Sequence, residues 1–338
     1  MARTTPIWEE PVATPSIDPG LLALPGVEHL RRLVADERTK LPLERLAGLE
    51  VTSIDAGTVT CTMQATSWLA GPKGTVHPGF LSWLADMALT MSVFSAEPPG
   101  VVVTTPELSL SFLRRVHIDE GPFTATATCL GLNGNDGLAQ ARLVAASGEL
   151  IAFATSRLVG LPIPAPDTTS PAPAHDDEPT TDPWRRPVQG NPLSETTIAA
   201  HSGLELLQAQ AEGTLPLPPI HHLTGISPVS ADTGTATFSL PAGAWHQTAL
   251  GTVYGGALAF LASAAVSGAA QTLAATAAAC DSLDIKINLL RPVPADGRPL
   301  LGHGTVRHPG RTLVVSQADL TDADGRLVAL ANGSTRLE

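Results

Sequence analysis

The sequence predicts an α+β protein of two similar domains, each with one long helix packed against consecutive antiparallel strands. Two observations carry this prediction. The chain repeats itself at a constant spacing, and each copy contains one long apolar segment followed by segments of alternating polarity. A helix and an antiparallel sheet can bury their apolar faces against each other as two layers around one core. The length of 338 residues also fits about two domains.

The repeat is a tandem duplication. Residues 46–161 align without a gap on residues 223–338, and 31 of the 116 aligned positions are identical. The offset is 177 residues throughout, as between Trp68 and Trp245. A repeat of this length is a domain rather than the short unit of a solenoid. We therefore predict an N-terminal arm (1–20), a first domain (21–161), a linker rich in Pro, Asp and Thr (162–192) and a second domain (193–338).

Each copy follows the same order of predicted elements. A helical segment comes first, then a strand, a glycine-containing turn, a long apolar helix and four further strands. The strands are predicted from alternation, as where Leu108, Leu110 and Phe112 point to one face. The predicted helices are 21–36 and 80–96 in the first copy and 194–212 and 257–279 in the second. The predicted strands are 57–63, 103–113, 122–132, 138–146 and 149–158, then 234–240, 281–291, 299–308, 311–320 and 326–336.

Composition narrows the functional classes. The formal charge is −12, and aromatic residues are only 4% of the chain, so nucleic acids and anionic membranes are not expected partners. The apolar run 257–280 is mostly alanine, interrupted by polar side chains, and we interpret it as a buried helix. Three widely spaced cysteines favour a reducing compartment, hence a cytoplasmic protein. The low content of charged residues, 15%, favours a homo-oligomer.

The turns before the two long helices offer sites for anionic chemistry. They read GTVHPG (74–79) and GTVYGG (251–256). The first N–H groups of a helix have no intrahelical acceptor, and the helix dipole favours negative charge there. A thioester under attack needs such donors for its carbonyl oxygen, and also a nucleophile or base. Asp86, in the predicted first long helix, is costly to bury without a partner or a task.

The segments GTVHPGFLSWLAD (74–86) and TPELSLSFLRRV (105–116) resemble the hotdog-fold thioesterases of the phenylacetic-acid-pathway (PaaI-like) type. The resemblance implies a sheet of about five or six strands wrapped around a central helix. It also implies that two such units pair, so that the tandem chain forms its own pseudo-dimer. The implied activity is hydrolysis of an acyl-coenzyme A thioester, with the carboxylate of one unit acting together with the helix start of the other.

Matched to the family motif, the two copies are complementary. His77 and Asp86 fall on the family's His and Asp, but Pro78 stands where a glycine N–H is needed, and proline has no N–H. In the second copy Gly255 restores the donor, while Ser263 replaces the acid. Crossing the copies gives one intact pair, Asp86 with Gly255, and one degenerate site.

Further residues follow from the same resemblance. Thr105 is expected beside Asp86 and Tyr254 beside the oxyanion site, and both join the predicted catalytic group. The family's asparagine has no match, and Gln247 is a possible substitute. The predicted substrate-binding residues are Gln247, Thr248, Gly256, His77, Arg114 and Arg291, and the predicted degenerate site contains Pro78, Ser263 and Ser282.

Simpler alternatives stand beside these roles. Asp86 as a structural carboxylate, His77 as a core residue and Arg114 and Arg291 as solvated strand ends each remain open. A non-catalytic acyl-coenzyme A binder or scaffold is the second functional hypothesis, and a hotdog enoyl-coenzyme A hydratase or dehydratase is the third. No metal and no cofactor are expected, because coenzyme A would enter as part of the substrate. The sequence leaves open whether Asp86 acts as nucleophile or as general base.

Overall fold

The computed structural model describes residues 5–13, 20–36, 40–163, 181–277 and 280–337. Its strands form one continuous antiparallel sheet in the order β1-β2-β4-β5-β6-β3-β10-β13-β12-β11-β8-β7, with β9 paired to β13. Each domain contributes six strands to that path, and the two halves join where β3 pairs with β10. The strands of the first domain are β1 (Leu49–Asp55), β2 (Thr58–Met63), β3 (Val101–Phe112), β4 (Phe123–Asn133), β5 (Asp136–Val144) and β6 (Leu150–Pro162). Those of the second are β7 (Ser227–Asp232), β8 (Thr235–Pro241), β9 (Cys280–Ser282), β10 (Asp284–Leu289), β11 (Pro299–Pro309), β12 (Leu313–Thr321) and β13 (Leu327–Leu337).

One long helix lies against each half of the sheet. α3 (Leu81–Phe94) packs on the first half and α7 (Gly255–Gln271) on the second, and the two helices also contact each other. Both are apolar almost all round, because the sheet covers one side and the other helix covers part of the opposite side. Among the described residues, no helix is both long and apolar enough to span a membrane. The shorter helices are α1 (Gly26–Ala35), α2 (Pro42–Ala47), α4 (Glu195–Ala200), α5 (Gly203–Ala211) and α6 (Pro219–Thr224).

The predicted α+β class and the two-domain pairing are confirmed, but several elements differ from the prediction. The short helices α2 and α6 and the edge strands β1 and β7 were not predicted. Each of these helices is a six-residue turn that begins at a proline and ends at a left-handed glycine, Gly48 or Gly225. Most residues of β1 are half-buried or exposed, without a regular alternation between buried and exposed positions. The strand therefore has no clear alternating pattern in the sequence. The predicted helix 257–279 ends at Gln271, and its last two residues lie outside the described part.

The domain interface is formed around the starts of the two long helices. The Ser82 hydroxyl donates to the Gly256 carbonyl at 2.7 Å. Phe80 and Phe260 meet edge to face with their ring centroids 5.4 Å apart. Across the sheet, β3 pairs with β10 so that Leu110 lies opposite Ile285. Buried residues of both domains thus form one continuous core.

Each domain also holds a peptide arm that precedes the other domain in sequence. The Trp245 indole of the second domain donates to the Glu10 carbonyl of the N-terminal arm at 3.1 Å. The Trp68 indole of the first domain donates to the Arg186 carbonyl, near the end of the predicted linker, also at 3.1 Å. This part of 162–192 therefore packs on the first domain, while residues 164–180 lie outside the described part.

The arm tryptophans complete this reciprocal arrangement. A side chain added to Gly225 would meet the Trp8 ring at 2.8 Å, and one added to Gly48 would meet the Trp184 ring at 3.0 Å. The arms also meet directly, because Arg186 Nη1 lies 2.6 Å from Glu10 Oε2. The two arms are thus exchanged between the domains and joined by one ion pair.

Candidate active site at the domain interface

The Asp86 carboxyl lies against the first residues of α7. Its side chain leaves the middle of α3 and is 1% exposed. A Cβ added to Gly255 would lie 2.7 Å from Asp86 Oδ2, so only glycine leaves room for the carboxyl in this arrangement. The backbone N–H of Gly256 donates to the same carboxyl. The acid of one domain and the helix start of the other are thus adjacent.

Two threonines hold the opposite side of the carboxyl. Thr105, on β3, donates its hydroxyl to Asp86 Oδ1 at 2.9 Å, and Thr90 donates to the same oxygen at 3.4 Å. The two hydroxyls are 3.2 Å apart. Thr90 was not predicted as a site residue. The spacing of four residues from Asp86, which places both side chains on one helix face, was the signal that could have indicated it.

Burial raises the pKa of Asp86 to about 6, while the hydrogen bonds from Thr105 and Gly256 act against that rise. The carboxyl therefore titrates close to neutral pH. A carboxylate with such a pKa is a stronger base than an ordinary aspartate, yet it is still ionised at neutral pH. This combination suits a general base or a nucleophile.

The second interface differs at the positions that correspond to Asp86 and Gly255. Ser263 replaces the acid, and a Cβ added to Gly79 would lie 2.5 Å from the Ser263 Cβ. Pro78 opens a short 3-10 turn (Pro78–Phe80) in place of the first turn of α7. The His77 ring packs edge to face on Phe260 at 5.0 Å, and burial lowers the pKa of His77 to about 4. Among the residues that the structure describes, no carboxylate takes the place of Asp86 on this side.

Tyr254 directly precedes α7, and its side chain packs in the domain interface against Trp83 of α3. Its hydroxyl donates to the Trp83 carbonyl at 2.7 Å, and its ring meets the Trp83 ring edge to face at 5.8 Å. Burial raises the pKa of Tyr254. The Tyr254 hydroxyl is therefore oriented by α3 and not by the Asp86 carboxyl.

The other predicted binding residues lie in turns and on the surface. Gln247 pairs with Val253 in an isolated bridge, and the Thr248 hydroxyl lies 3.0 Å from that of Thr252. Both residues thus lie in the turn that leads into α7. Ser282 pairs with Thr335 in the short strand β9.

The two predicted arginines are on the outside of the sheet ends. Arg114 Nη2 lies 2.6 Å from Glu120 Oε2 and 3.0 Å from Glu149 Oε2, whereas Arg291 is exposed. The Arg114 guanidinium is thus already paired with two carboxylates. Within the described part of the chain, no group of three or more His, Cys, Asp or Glu side chains is arranged to hold a metal ion.

Comparisons with known proteins give the same picture of two related domains. The thioesterase superfamily model matches residues 73–152 and 250–329, two segments separated by the offset of 177 residues. No curated protein matches the sequence.

Solved structures show the same tandem fold at low sequence identity. A tesB protein of Mycobacterium avium subs paratuberculosis is 12% identical, with a TM-score of 0.53, and the match covers 88% of this chain and 98% of that chain. A protein of Novosphingobium aromaticivorans with a provisional thioesterase designation is 16% identical, with a TM-score of 0.52 and coverage of 85% and 98%. A hot dog fold protein of unknown function from Alicyclobacillus acidocaldarius is 14% identical, with a TM-score of 0.51 and coverage of 88% and 98%. The chain thus consists of two hotdog domains.

Proposed function

We propose that this chain, whose two hotdog domains belong to the thioesterase superfamily, hydrolyses acyl-coenzyme A thioesters to a carboxylic acid and coenzyme A. The proposed site is single and lies between Asp86 and the start of α7. The observation that carries the proposal is the buried Asp86 carboxyl, which accepts hydrogen bonds from Thr105 and Gly256. A buried carboxylate of raised pKa beside a helix start whose Gly255 N–H has no intrahelical acceptor is a combination of base and oxyanion site.

Two routes use this arrangement. The Asp86 carboxylate removes a proton from a water molecule that attacks the thioester carbonyl, or it attacks the carbonyl itself and the resulting anhydride is then hydrolysed. In both routes the carbonyl oxygen becomes negative, and the Gly255 N–H has no intrahelical acceptor that would compete for it. The carbon–sulfur bond then breaks, and the coenzyme A thiolate leaves and takes up a proton.

Thr105 and Thr90 act as positioning residues in this proposal. Their hydroxyls donate to Asp86 Oδ1, whereas Oδ2 is the oxygen that faces Gly255. Bonds to one oxygen fix the rotation of the carboxyl and leave the other oxygen for chemistry. Gly255 and Thr105 are partly exposed while Asp86 is buried, so substrate would approach past these two residues.

Only one site per chain is proposed to work. Ser263 has no carboxylate, and Pro78 has no N–H at the position that corresponds to Gly255. We expect coenzyme A thioesters as small-molecule partners and a cytoplasmic location, and the three cysteines are free. Assembly of further copies into an oligomer remains a prediction.

The test is a hydrolysis assay on a panel of short-chain, medium-chain and aromatic acyl-coenzyme A thioesters, with release of free thiol as the readout. The wild-type chain is expected to turn over at least one of them, and Asp86→Asn to be slower by about a hundredfold to ten-thousandfold, the usual contribution of a positioned base. Binding without thiol release would overturn the proposal in favour of a non-catalytic binder. Hydration of an enoyl thioester without thiol release would favour the hydratase hypothesis.

A further inference from the structure

The face of α3 that carries Asp86 continues to the end of the helix. Asp86, Thr90 and Phe94 follow one another at intervals of four residues, so their side chains lie in one row. Phe94 is the last residue of α3, and its ring meets the His29 ring of α1 edge to face, with the centroids 5.1 Å apart. A pair of packed rings therefore lies at the end of the row that begins with the proposed base.

The second interface has other side chains at these positions and an open space beside them. After the offset of 177 residues, the counterparts of His29 and Phe94 are Leu206 and Gln271. Both line a cavity of about 130 Å³. The same cavity is lined by the counterparts of three residues of the proposed site, namely Pro78 for Gly255, Ser267 for Thr90 and Ser282 for Thr105. One continuous space thus connects the equivalent of the reacting centre with the equivalent of the ring pair.

The helices pack alike around the two positions, so the difference comes from the side chains. A Cβ added to Gly26 of α1 would lie 1.7 Å from the Phe94 carbonyl oxygen, and one added to Gly203 of α5 would lie 1.8 Å from the Gln271 carbonyl oxygen. The Gln271 amide donates to the Gly203 carbonyl at 3.5 Å, whereas the Phe94 ring packs against His29. The rings therefore fill, at the Asp86 site, the space that stays open at the second interface.

The space between the carboxyl and the rings is short and begins at an apolar side chain. A Cβ added to Gly255 would lie 3.2 Å from Leu289 Cδ1, and Leu289 is the last residue of β10. Phe94 follows Asp86 by eight residues, which is a rise of about 12 Å along the helix. Helical side chains lean toward the N-terminus over the preceding turn, so the Phe94 ring shortens this distance. The remaining length accommodates only a few methylene groups.

We propose that Phe94, supported by His29, closes the end of the acyl pocket and restricts the site to short aliphatic acyl groups such as acetyl, propionyl and butyryl. The inference rests on the proposed thioesterase function, because it concerns the substrate of the same site. A longer chain would have to displace the packed rings or turn back toward solvent. Overfilling a packed pocket is costly, and a single methylene group already changes discrimination by about tenfold or more.

Chain-length preference tests the closed end of the pocket directly. The readout is the ratio of kcat/KM for octanoyl-coenzyme A to that for butyryl-coenzyme A, and the wild-type chain is expected to prefer butyryl by about tenfold or more. Phe94→Gln combined with His29→Leu gives the Asp86 site the residues of the second interface, and should raise the ratio about tenfold or more. Phe94→Leu, a milder change that keeps an apolar side chain, should raise it by a smaller factor. A wild type that hydrolyses octanoyl as well as butyryl would overturn the proposal.

The matched control makes the reverse exchange at the second interface. Gln271→Phe places a ring beside the cavity there, away from the proposed site, and is expected to leave the ratio unchanged. An equal change of the ratio in Gln271→Phe would overturn the assignment of the pocket to the Asp86 site. An unchanged ratio in both Phe94 variants would overturn the role of the ring.

Binding separates this inference from the proposed function. Isothermal titration calorimetry of the full-length Asp86→Asn chain with the same thioesters measures the pocket without turnover. The Kd of octanoyl-coenzyme A is expected to exceed that of butyryl-coenzyme A, and to fall about tenfold or more when Phe94→Gln and His29→Leu are added. This result without thiol release by the wild type would support the closed pocket and contradict the thioesterase function. Thiol release without a preference between the chain lengths would contradict the closed pocket alone.

Discussion

The Asp86 carboxyl is expected to cost stability in return for function. Burial raises its pKa from the ordinary 3.8 to about 6, so the folded chain holds this proton more tightly than the unfolded chain does. This contribution to the free energy of unfolding therefore falls as the pH rises from about 4 to 6 and stays low above that range. A shift of about two pKa units corresponds to roughly 3 kcal/mol.

Asp86→Asn should consequently be much slower in catalysis but more stable than the wild type at neutral pH, by up to a few kcal/mol. Urea unfolding at neutral pH and near pH 4 measures this. The difference should shrink at the lower pH, where the carboxyl is protonated in both states. A variant that is less stable than wild type at neutral pH would show that the folded protein stabilises the ionised Asp86 carboxylate, which contradicts this prediction.

The same pKa predicts the dependence of activity on pH. Because the carboxylate is the active form in both routes, kcat/KM should rise with pH through about 6 and then level off. A profile of kcat/KM against pH for the best substrate of the panel measures this. An activity that is already at its plateau near pH 4 would contradict the assignment of Asp86 as the group that titrates.

Thr105 is expected to tune that carboxyl through one hydrogen bond. Thr105→Val removes the donor at 2.9 Å from Asp86 Oδ1, so it should lower kcat/KM by roughly tenfold and move the pH midpoint upward. Thr105→Ser keeps the hydroxyl and should restore both. Thr90→Val removes the longer bond of 3.4 Å and should have a smaller effect. A loss of activity without any change in the pH midpoint would indicate a packing role for Thr105.

At the level of elements, the first turn of α7 differs from the first turn before α3 in one decisive way. Gly255 opens α7 beside the carboxyl of the other domain, while Pro78 opens a 3-10 turn. Gly255→Ala would place a Cβ 2.7 Å from Asp86 Oδ2 and should displace the carboxyl. A carboxyl moved out of its productive position in this way is expected to lower kcat about a hundredfold. Pro78→Ala, at the matching position of the other interface, is the control and should retain wild-type kcat.

The sequence predicted most elements because their polarity alternates or their apolar runs are long. β4 and β12 begin and end within a few residues of the predicted bounds. The misses are elements whose signal is weak: α2 and α6 are too short to show a helical period, and the edge strands β1 and β7 bury little. Short helices fixed by proline and glycine at their ends depend on tertiary packing more than on local pattern.

For the whole molecule, the exchanged arms are expected to fasten the two domains together. Glu10 and Arg186 occupy similar places in the two arms and form the ion pair between them. Arg186→Glu puts two acids together and should lower stability by roughly 1 kcal/mol, as should Glu10→Arg. The double swap, Glu10→Arg with Arg186→Glu, should recover most of that loss. Thermal unfolding of the four chains gives the coupling, and strictly additive losses would show that the arms do not interact.

The pairing of Asp86 with Gly255 could be inferred from the sequence because the constant offset aligns the two motifs. The resemblance to the hotdog-fold thioesterases then implies that the acid of one unit meets the helix start of the other. The cavity of the second interface could not, since it arises from the joint effect of several smaller side chains on different elements. The hydrogen bond from the Tyr254 hydroxyl to the Trp83 carbonyl could not be predicted either, because it depends on how the two long helices pack against each other. Thr90 could have been predicted from the sequence, because it follows Asp86 by four residues on the same helix.

The central claim is that one working site is built from the acid of the first domain and the helix start of the second. Its most direct test is the ratio of kcat/KM between two matched variants, Asp86→Ser and Ser263→Ala, on the best thioester of the panel. Asp86→Ser gives the first interface the residue of the degenerate one, and should lose about a hundredfold or more. Ser263→Ala should keep kcat/KM within about twofold of wild type. The change removes a single hydroxyl, and that hydroxyl lies outside the proposed site. Equal losses in the two variants, or full activity in Asp86→Ser, would contradict the account.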